Sequence, residues 1–331
     1  MRYLSTVLIL LMLPITAQAK SFNNWLIELK REAMEQGISH KTVRDAFKGY
    51  DPDAKKFQKI LELDKNQPEF RKTFEQYVVT SVSATRVKKG RELYKKHHKL
   101  LTEIGNKYCV QPQFIVALWG IETNYGSFTG GHKVIHALAT LAYDGRSEER
   151  MAFFRKELIK ALKIIEGGHI EADDMFGSWA GAMGHSQFMP SSFLAYAVDY
   201  NGDGKKDIWN TQADVFASIA NYLHTVGWKC DQKWGREVKL TKPISDDLEG
   251  RKVKKELSFW KDKGITKPDG TSIPVVAGMK ASLVYLDKEA NTRSFLTYDN
   301  YDTIMHWNRS TYFATSVGML ADKISWVKIT Q

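Results

Sequence analysis

Only two cysteines, Cys109 and Cys230, occur among 331 residues. So few sulfurs exclude a cysteine-rich zinc module, and His97-His98 is the one adjacent histidine pair, so a zinc site is not expected. The two thiols leave two states open, a disulfide or separate buried groups, because separation in sequence gives no distance in space. Internal repeats and low-complexity tracts are absent. The chain is basic, with 48 Lys plus Arg against 38 Asp plus Glu and a net charge of +10, yet it has no dense basic block. The short Arg86-Val87-Lys88-Lys89 and Tyr94-Lys95-Lys96 runs read as solvated helix faces. We therefore expect no nucleic-acid partner; the charge suits an acidic cell-wall polymer or a membrane surface.

No apolar run is long enough to span a bilayer comfortably. The one at the start, Val7 to Pro14, is short, follows Arg2 and precedes Ala17-Gln18-Ala19. That is the pattern of a secretory leader cut before Lys20, so residues 1–19 are read as a signal peptide. No cysteine stands at the cut to carry a lipid. We expect a soluble periplasmic protein, one positive charge lighter once Arg2 is removed.

About 310 mature residues exceed one typical core, which predicts more than one subdomain. Residues 20–107 read as an N-terminal helical segment. Trp25, Leu26, Leu29 and Met34 mark a first amphipathic helix ending at Gly37, and Ser39 caps a second. Gln67-Pro68-Glu69 opens another through Phe70, Phe74 and Tyr77. A long helix is predicted from about Thr85 to Lys107, with Leu93, Leu100, Leu101 and Ile104 on one side. Residues 108–228 form a central region in which glycine-rich loops interrupt helices. Ser147 caps one helix, with Met151, Phe154, Leu158, Leu162 and Ile165 in a stripe; Val215, Ile219, Tyr222, Leu223 and Val226 mark another. From 229 to 300 the composition turns β-like at Lys239–Pro243, Ile273–Val276, Ala281–Leu286 and Ser294–Tyr298, with Lys288–Asn291 as a hairpin turn. Residues 301–331 return to helix, capped by Ser310.

Glu122 carries the most chemistry. It ends the apolar run Phe114-Ile115-Val116-Ala117-Leu118-Trp119-Gly120-Ile121, in the last turn of a buried helix stopped near Gly126. An apolar setting and the negative helix end both raise a carboxyl pKa, so the group can hold a proton near neutral pH and act as a general acid. The plainer alternative is a glutamate that turns outward or pairs with a buried arginine. The segment Gly177 to Ser192 combines small residues with Ser178 and Gln187, a composition that fits a cleft wall.

Several stretches together resemble the lytic murein transglycosylase B family, whose members cleave peptidoglycan with a lysozyme-like core. They are Gly120-Ile121-Glu122-Thr123-Asn124-Tyr125-Gly126, Ala180 to Ser191, Asp199 to Trp209, Ala220-Asn221-Tyr222 and Trp307-Asn308-Arg309-Ser310. The resemblance covers essentially the whole mature chain. It implies a mainly α fold, with a lysozyme-like catalytic core, an N-terminal helical segment and a small β-rich C-terminal piece. It also implies that Glu122 is the single catalytic acid and then base, closing a 1,6-anhydro ring on N-acetylmuramic acid. A conventional glycosidase would use a second carboxylate, for which no convincing partner is found. By the same resemblance Ser178, Gln187, Tyr222 and Asn308 line the glycan cleft, while Trp307 and Tyr312 beside it offer sugar-stacking surfaces. The competing structural roles are a core tyrosine for Tyr222 and a loop-holding amide for Gln187. Hydrolysis of the same bond and a non-catalytic glycan scaffold are the alternative functions; an idle buried acid argues against the second. The implied partner is the peptidoglycan strand, with cell-wall synthesis or division proteins as further partners of an expected monomer.

Two positions depart from the family pattern. Where relatives carry a Pro-Arg-Arg stretch that contacts the stem peptide, this chain has Glu148-Glu149-Arg150, so only Arg150 keeps the charge; a tyrosine of some relatives is Phe153. No cofactor is required by this chemistry. The run Asp199-Tyr200-Asn201-Gly202-Asp203-Gly204-Lys205 opens like an EF-hand loop, but its twelfth position is Asn210. A structural calcium there would use Asp199, Asn201, Asp203, the Lys205 carbonyl and Asp214, the counterpart of a later family ligand, or the nearer Asp207. A loop of Asx turns without an ion is the alternative.

Overall fold

A computed structural model describes residues 21–66, 72–287 and 293–325. The leader at 1–19, the helix start at Gln67–Phe70 and the turn at Lys288–Asn291 lie outside the described residues. The molecule is mainly α. In chain order the helices are α1 (Phe22–Glu35), α2 (His40–Ala46), α3 (Lys55–Asn66), α4 (Phe74–Ser81), α5 (Ala84–Lys96), α6 (His98–Tyr108) and α7 (Pro112–Thr123). They continue as α8 (Val134–Asp144), α9 (Glu148–Glu166), α10 (Pro190–Tyr196), α11 (Gln212–Thr225), α12 (Leu257–Asp262), α13 (Asp299–Trp307) and α14 (Thr311–Ser325).

Side-chain caps set many of the starts. Ser39, Ser83 and Ser147 each accept the backbone N–H three residues on, and Thr73 with Gln76 forms a reciprocal capping box. The Thr85–Lys107 stretch is two helices, not one. His97 (φ −103°, ψ 14°) breaks it, and its ring packs edge-on against Phe216 at 5.5 Å and Trp119 at 6.4 Å. The bend lets both α5 and α6 lie against α7. Tertiary packing thus overrides a local pattern that favours one continuous helix.

Two helical cores share these elements. One gathers α4 to α7, α11, α13 and α14 around Phe114–Trp119, Phe216, Tyr301 and Leu320. The other joins α1 to α3 with α8, α9 and α10, and includes Met183 and Phe188 of the glycine-rich loop. The 20–107 segment is therefore divided between both cores and builds none of its own. Helix α7 is apolar on every side, with Phe114 to Gly120 all buried, as a central helix must be. Trp307 packs against both cores, so their seam runs past the end of α13.

Two strands, β1 (His132–Lys133) and β2 (Phe176–Gly177), pair in a short antiparallel ladder. Five more form one antiparallel sheet: β3 (Gly235–Leu240), β4 (Lys255–Glu256), β5 (Ile265–Thr266), β6 (Lys280–Tyr285) and β7 (Ser294–Thr297), in the order β4-β6-β7-β3-β5. Leu283 and Leu296 face a small core with Trp260, while Val284 and Phe295 face the helices, the two-residue alternation of a sheet covered on both sides. Ile273–Val276 is not a strand. Pro274 lacks an N–H, and Val275 and Val276 stay exposed at 46% and 54%. The cysteines resolve to a disulfide: Cys109, at the left-handed end of α6, joins Cys230 beyond α11, with Cα atoms 5.0 Å apart.

Candidate active site

Glu122 occupies the last turn of α7, which stops when Asn124 and Tyr125 enter the left-handed region at φ 49° and 61°. The stop is held from three directions. Tyr125 donates its hydroxyl to the Arg86 carbonyl at 2.8 Å, Lys89 donates to the Asn124 carbonyl at 3.1 Å, and the Thr123 hydroxyl donates to the His185 carbonyl at 3.1 Å. Gly126 (φ +78°) lies so close to the His185 ring that a Cβ there would fall 2.4 Å from a ring carbon. Only glycine fits both the angle and the space.

The carboxyl of Glu122 accepts a hydrogen bond from the Trp307 indole at 2.7 Å. Part of the residue's surface stays open to solvent, while protein surrounds the carboxyl group closely. Burial raises its pKa from 4.5 to about 7, and the Trp307 bond acts in the lowering direction. Among the described residues no second carboxylate bonds to this group. The indole is clamped by Tyr222 (ring centroids 4.6 Å) and Phe188 (5.1 Å). The buried Tyr222 hydroxyl donates to the His306 carbonyl at 3.1 Å and lies 3.0 Å from His306 Nδ1. Trp307 is thus a direct partner of the acid, where its sequence position suggested only a stacking surface.

Across the loop, the Gln187 backbone is left-handed (φ 48°), and its side-chain amide donates to the carbonyls of Thr129 and Gly184, both at 3.0 Å. Among the described residues no donor reaches its Oε1. Ser178 accepts from the Ala182 and Ala180 N–H groups at 3.0 and 3.3 Å, so its oxygen shapes the turn while the hydroxyl proton remains available. Asn308 is exposed and accepts from Ser310 N at 3.0 Å. Sequence reasoning missed His185, Thr123 and His306; His185 and Thr123 sit inside quoted motifs, but nothing in their spacing announces the contacts they make.

Two residues are engaged elsewhere. Arg150 pairs with the buried Asp64 and lies over the Phe154 ring at 5.0 Å, so its charge is used internally. Tyr312 bonds to Asp287 and packs against Phe74 and Tyr77 at 5.4 and 5.8 Å. In the EF-hand-like loop, Asp199 accepts from the N–H groups of Gly202, Asp203 and Gly204, and Asp203 accepts from Lys205 N. Asp214 is fully buried and spends its two oxygens on Tyr200 N and Asp207 N, each at 2.8 Å. No group of three acidic, histidine or cysteine side chains is gathered for a metal among the described residues. The donors of Asp199, Asn201 and Asp203 share one tight loop, so they fit a weakly held ion more readily than Asp214 does.

Fold and site define a lysozyme-like, mainly α protein with one enclosed carboxyl at the end of its central helix. The sequence profile of the Transglycosylase SLT domain matches residues 21–322. The chain is 30% identical over 249 residues, 75% of its length, to membrane-bound lytic murein transglycosylase B of Escherichia coli strain K12, and spans 66% of that relative. It is similar to SltB3 from Pseudomonas aeruginosa, solved in complex with NAG-NAM-pentapeptide, at 38% identity and a TM-score of 0.86, covering 93% of this chain and 80% of that one. An Escherichia coli lytic transglycosylase solved in complex with calcium matches at 27% identity and a TM-score of 0.76, covering 91% and 92%. The chain belongs to the lytic murein transglycosylase B family.

Proposed function

We propose that the protein cleaves the β-1,4 bond between N-acetylmuramic acid and N-acetylglucosamine in peptidoglycan without consuming water. The observation that carries this reading is the enclosed Glu122 carboxyl, held by the Trp307 indole with no second carboxylate bonded to it among the described residues; burial raises its pKa to about 7. Protonated Glu122 gives its proton to the glycosidic oxygen as the C1–O bond breaks, and the substrate's 2-acetamido oxygen bonds to C1. The Glu122 carboxylate then takes the proton of the muramyl 6-hydroxyl. Its oxygen attacks C1, displaces the acetamido group and closes the 1,6-anhydro ring. One carboxyl is thus restored to its starting state. Proton transfer of this kind supplies roughly 10²–10⁴-fold, and positioning must supply the rest.

Ser178, Gln187, Tyr222 and Asn308 would hold the sugars, with the Gln187 Oε1 and the Ser178 hydroxyl proton the available polar groups. SltB3, 38% identical, is also known in complex with NAG-anhNAM-pentapeptide, which supports the anhydro product. The setting would be the periplasm; among the described residues no helix is long and apolar enough to cross a membrane. A calcium ion in the Asp199–Lys205 loop would be structural, since that loop is already closed by its own amide bonds.

Mass spectrometry of products from purified sacculi tests the reading. Wild type should release anhydromuramyl ends, and Glu122→Gln should bind glycan, keep its fold and release none. Reducing muramyl ends would identify a hydrolase, and full activity in the variant would move the chemistry to another residue.

A further inference from the structure

The glycan's peptide would not be met by Arg150, whose charge is spent on Asp64. A recess of about 230 Å³ lies beside the segment that leads into Ser178. It is lined by Lys56 and Phe57 of α3, His132 and Lys133 of β1, His136 of α8 and Phe176 of β2. The backbone connects it to the site. Phe176 stands two residues before Ser178, and His132 follows Thr129, whose carbonyl holds Gln187. Gly130 (φ +96°) lets the two segments touch, since a Cβ there would lie 2.0 Å from the Gly177 carbonyl oxygen.

The lining combines positive charge with apolar surface. Lys133 is partly neutralised by Asp173 at 2.5 Å. Among the described residues Lys56 pairs with no carboxylate, and it lies over the Phe57 ring, 4.8 Å from its centroid. Lys59 stands near enough to act on His132. His136 is 3% exposed, and its two ring nitrogens make no hydrogen bond, with the Ala46 carbonyl nearby outside bonding geometry. It forms a neutral wall, since burial and then Lys133 and Lys56 push its pKa down to about 4. Phe176 remains 39% exposed at the rim. Such a site suits a short chain bearing a carboxylate and an aliphatic stem.

We propose that this recess is a subsite for the acidic peptide carried by the glycan strand, with the Lys56 ammonium receiving a carboxylate and the exposed Phe176 its apolar portion. The inference rests on the peptidoglycan reading and deepens it. The test compares kcat/KM on peptide-bearing glycan with kcat/KM on the same glycan stripped by an amidase. Wild type should favour the peptide-bearing form. Lys56→Glu should lower that ratio about tenfold, the size of one charge-assisted hydrogen bond. Lys56→Arg should restore most of it, and Lys261→Glu, at an exposed position of α12, should leave it unmoved. Equal cleavage of both substrates by wild type, or an unchanged ratio in Lys56→Glu, overturns the subsite. Calorimetry with the free stem peptide gives an answer independent of turnover: binding weakened by Lys56→Glu supports the subsite, and no binding to wild type overturns it. Absence of any cleavage would instead count against the functional reading alone.

Discussion

Burial and the Trp307 indole act on Glu122 in opposite directions, and burial is the larger effect. The acid form is abundant below about pH 7 and is lost as the pH rises through that value. Trp307→Phe keeps a ring for Tyr222 and Phe188 to clamp but removes the donor. We expect its alkaline limb in kcat/KM to move to higher pH, with a lower plateau, in a pH–rate profile. The same group leaves a mark on stability. Its folded pKa lies above the ordinary 4.5, so the folded state binds more protons between about 4.5 and 7, and wild-type stability falls as pH rises across that window. Glu122→Gln should lack this slope and melt higher than wild type at pH 8, which thermal denaturation at several pH values checks.

Among the elements, the start of α9 and the loop before α11 show how local polar groups hold the frame of the cleft. Asp64 at the end of α3 is buried, accepts from Arg146 N at 3.3 Å and pairs with Arg150. Removing the guanidinium leaves a buried carboxylate poorly compensated, so Arg150→Ala should cost on the order of 3 kcal/mol in denaturant unfolding. If Arg150 served the substrate instead, stability would hold and KM alone would rise. In the Asp199–Lys205 loop the carboxylates already satisfy backbone N–H groups, so millimolar calcium should raise Tm by a few degrees while a chelator leaves turnover intact. Asp203→Asn should abolish the calcium-dependent shift in a thermal melt.

Across the whole molecule, the site exists because two helical cores meet at Trp307, and the connections between distant segments keep them in register. The Cys109–Cys230 disulfide spans 121 residues and ties the end of α6 to the chain leaving α11. Gln111 reinforces that junction by accepting from the Trp228 indole at 2.7 Å. Replacing both cysteines with serine should lower unfolding stability by about 2–4 kcal/mol, because the unfolded chain regains the freedom of a long loop. Activity at 25 °C should persist, since Cys109 precedes the start of α7 and Glu122 lies in its last turn. The sheet is anchored separately: Trp234 donates to Asp322 at 3.0 Å and presses on Gly318 of α14, where a Cβ would lie 2.1 Å from its ring.

Local signals carried the helices and the acid. Ser39, Ser147 and the apolar stripes mark helix starts and faces because capping and burial act within a turn or two, and the all-apolar run before Glu122 predicts a buried central helix, though not which way the carboxyl at its end turns. The break at His97, the Trp307 hydrogen bond, the withdrawal of Arg150 and Tyr312, and the pairing of Cys109 with Cys230 were settled only by tertiary structure. Each depends on groups far apart in the chain, up to 185 residues for Glu122 and Trp307. Periodicity fixes which face of an element is buried; which distant polar group meets it there is decided by how the elements pack.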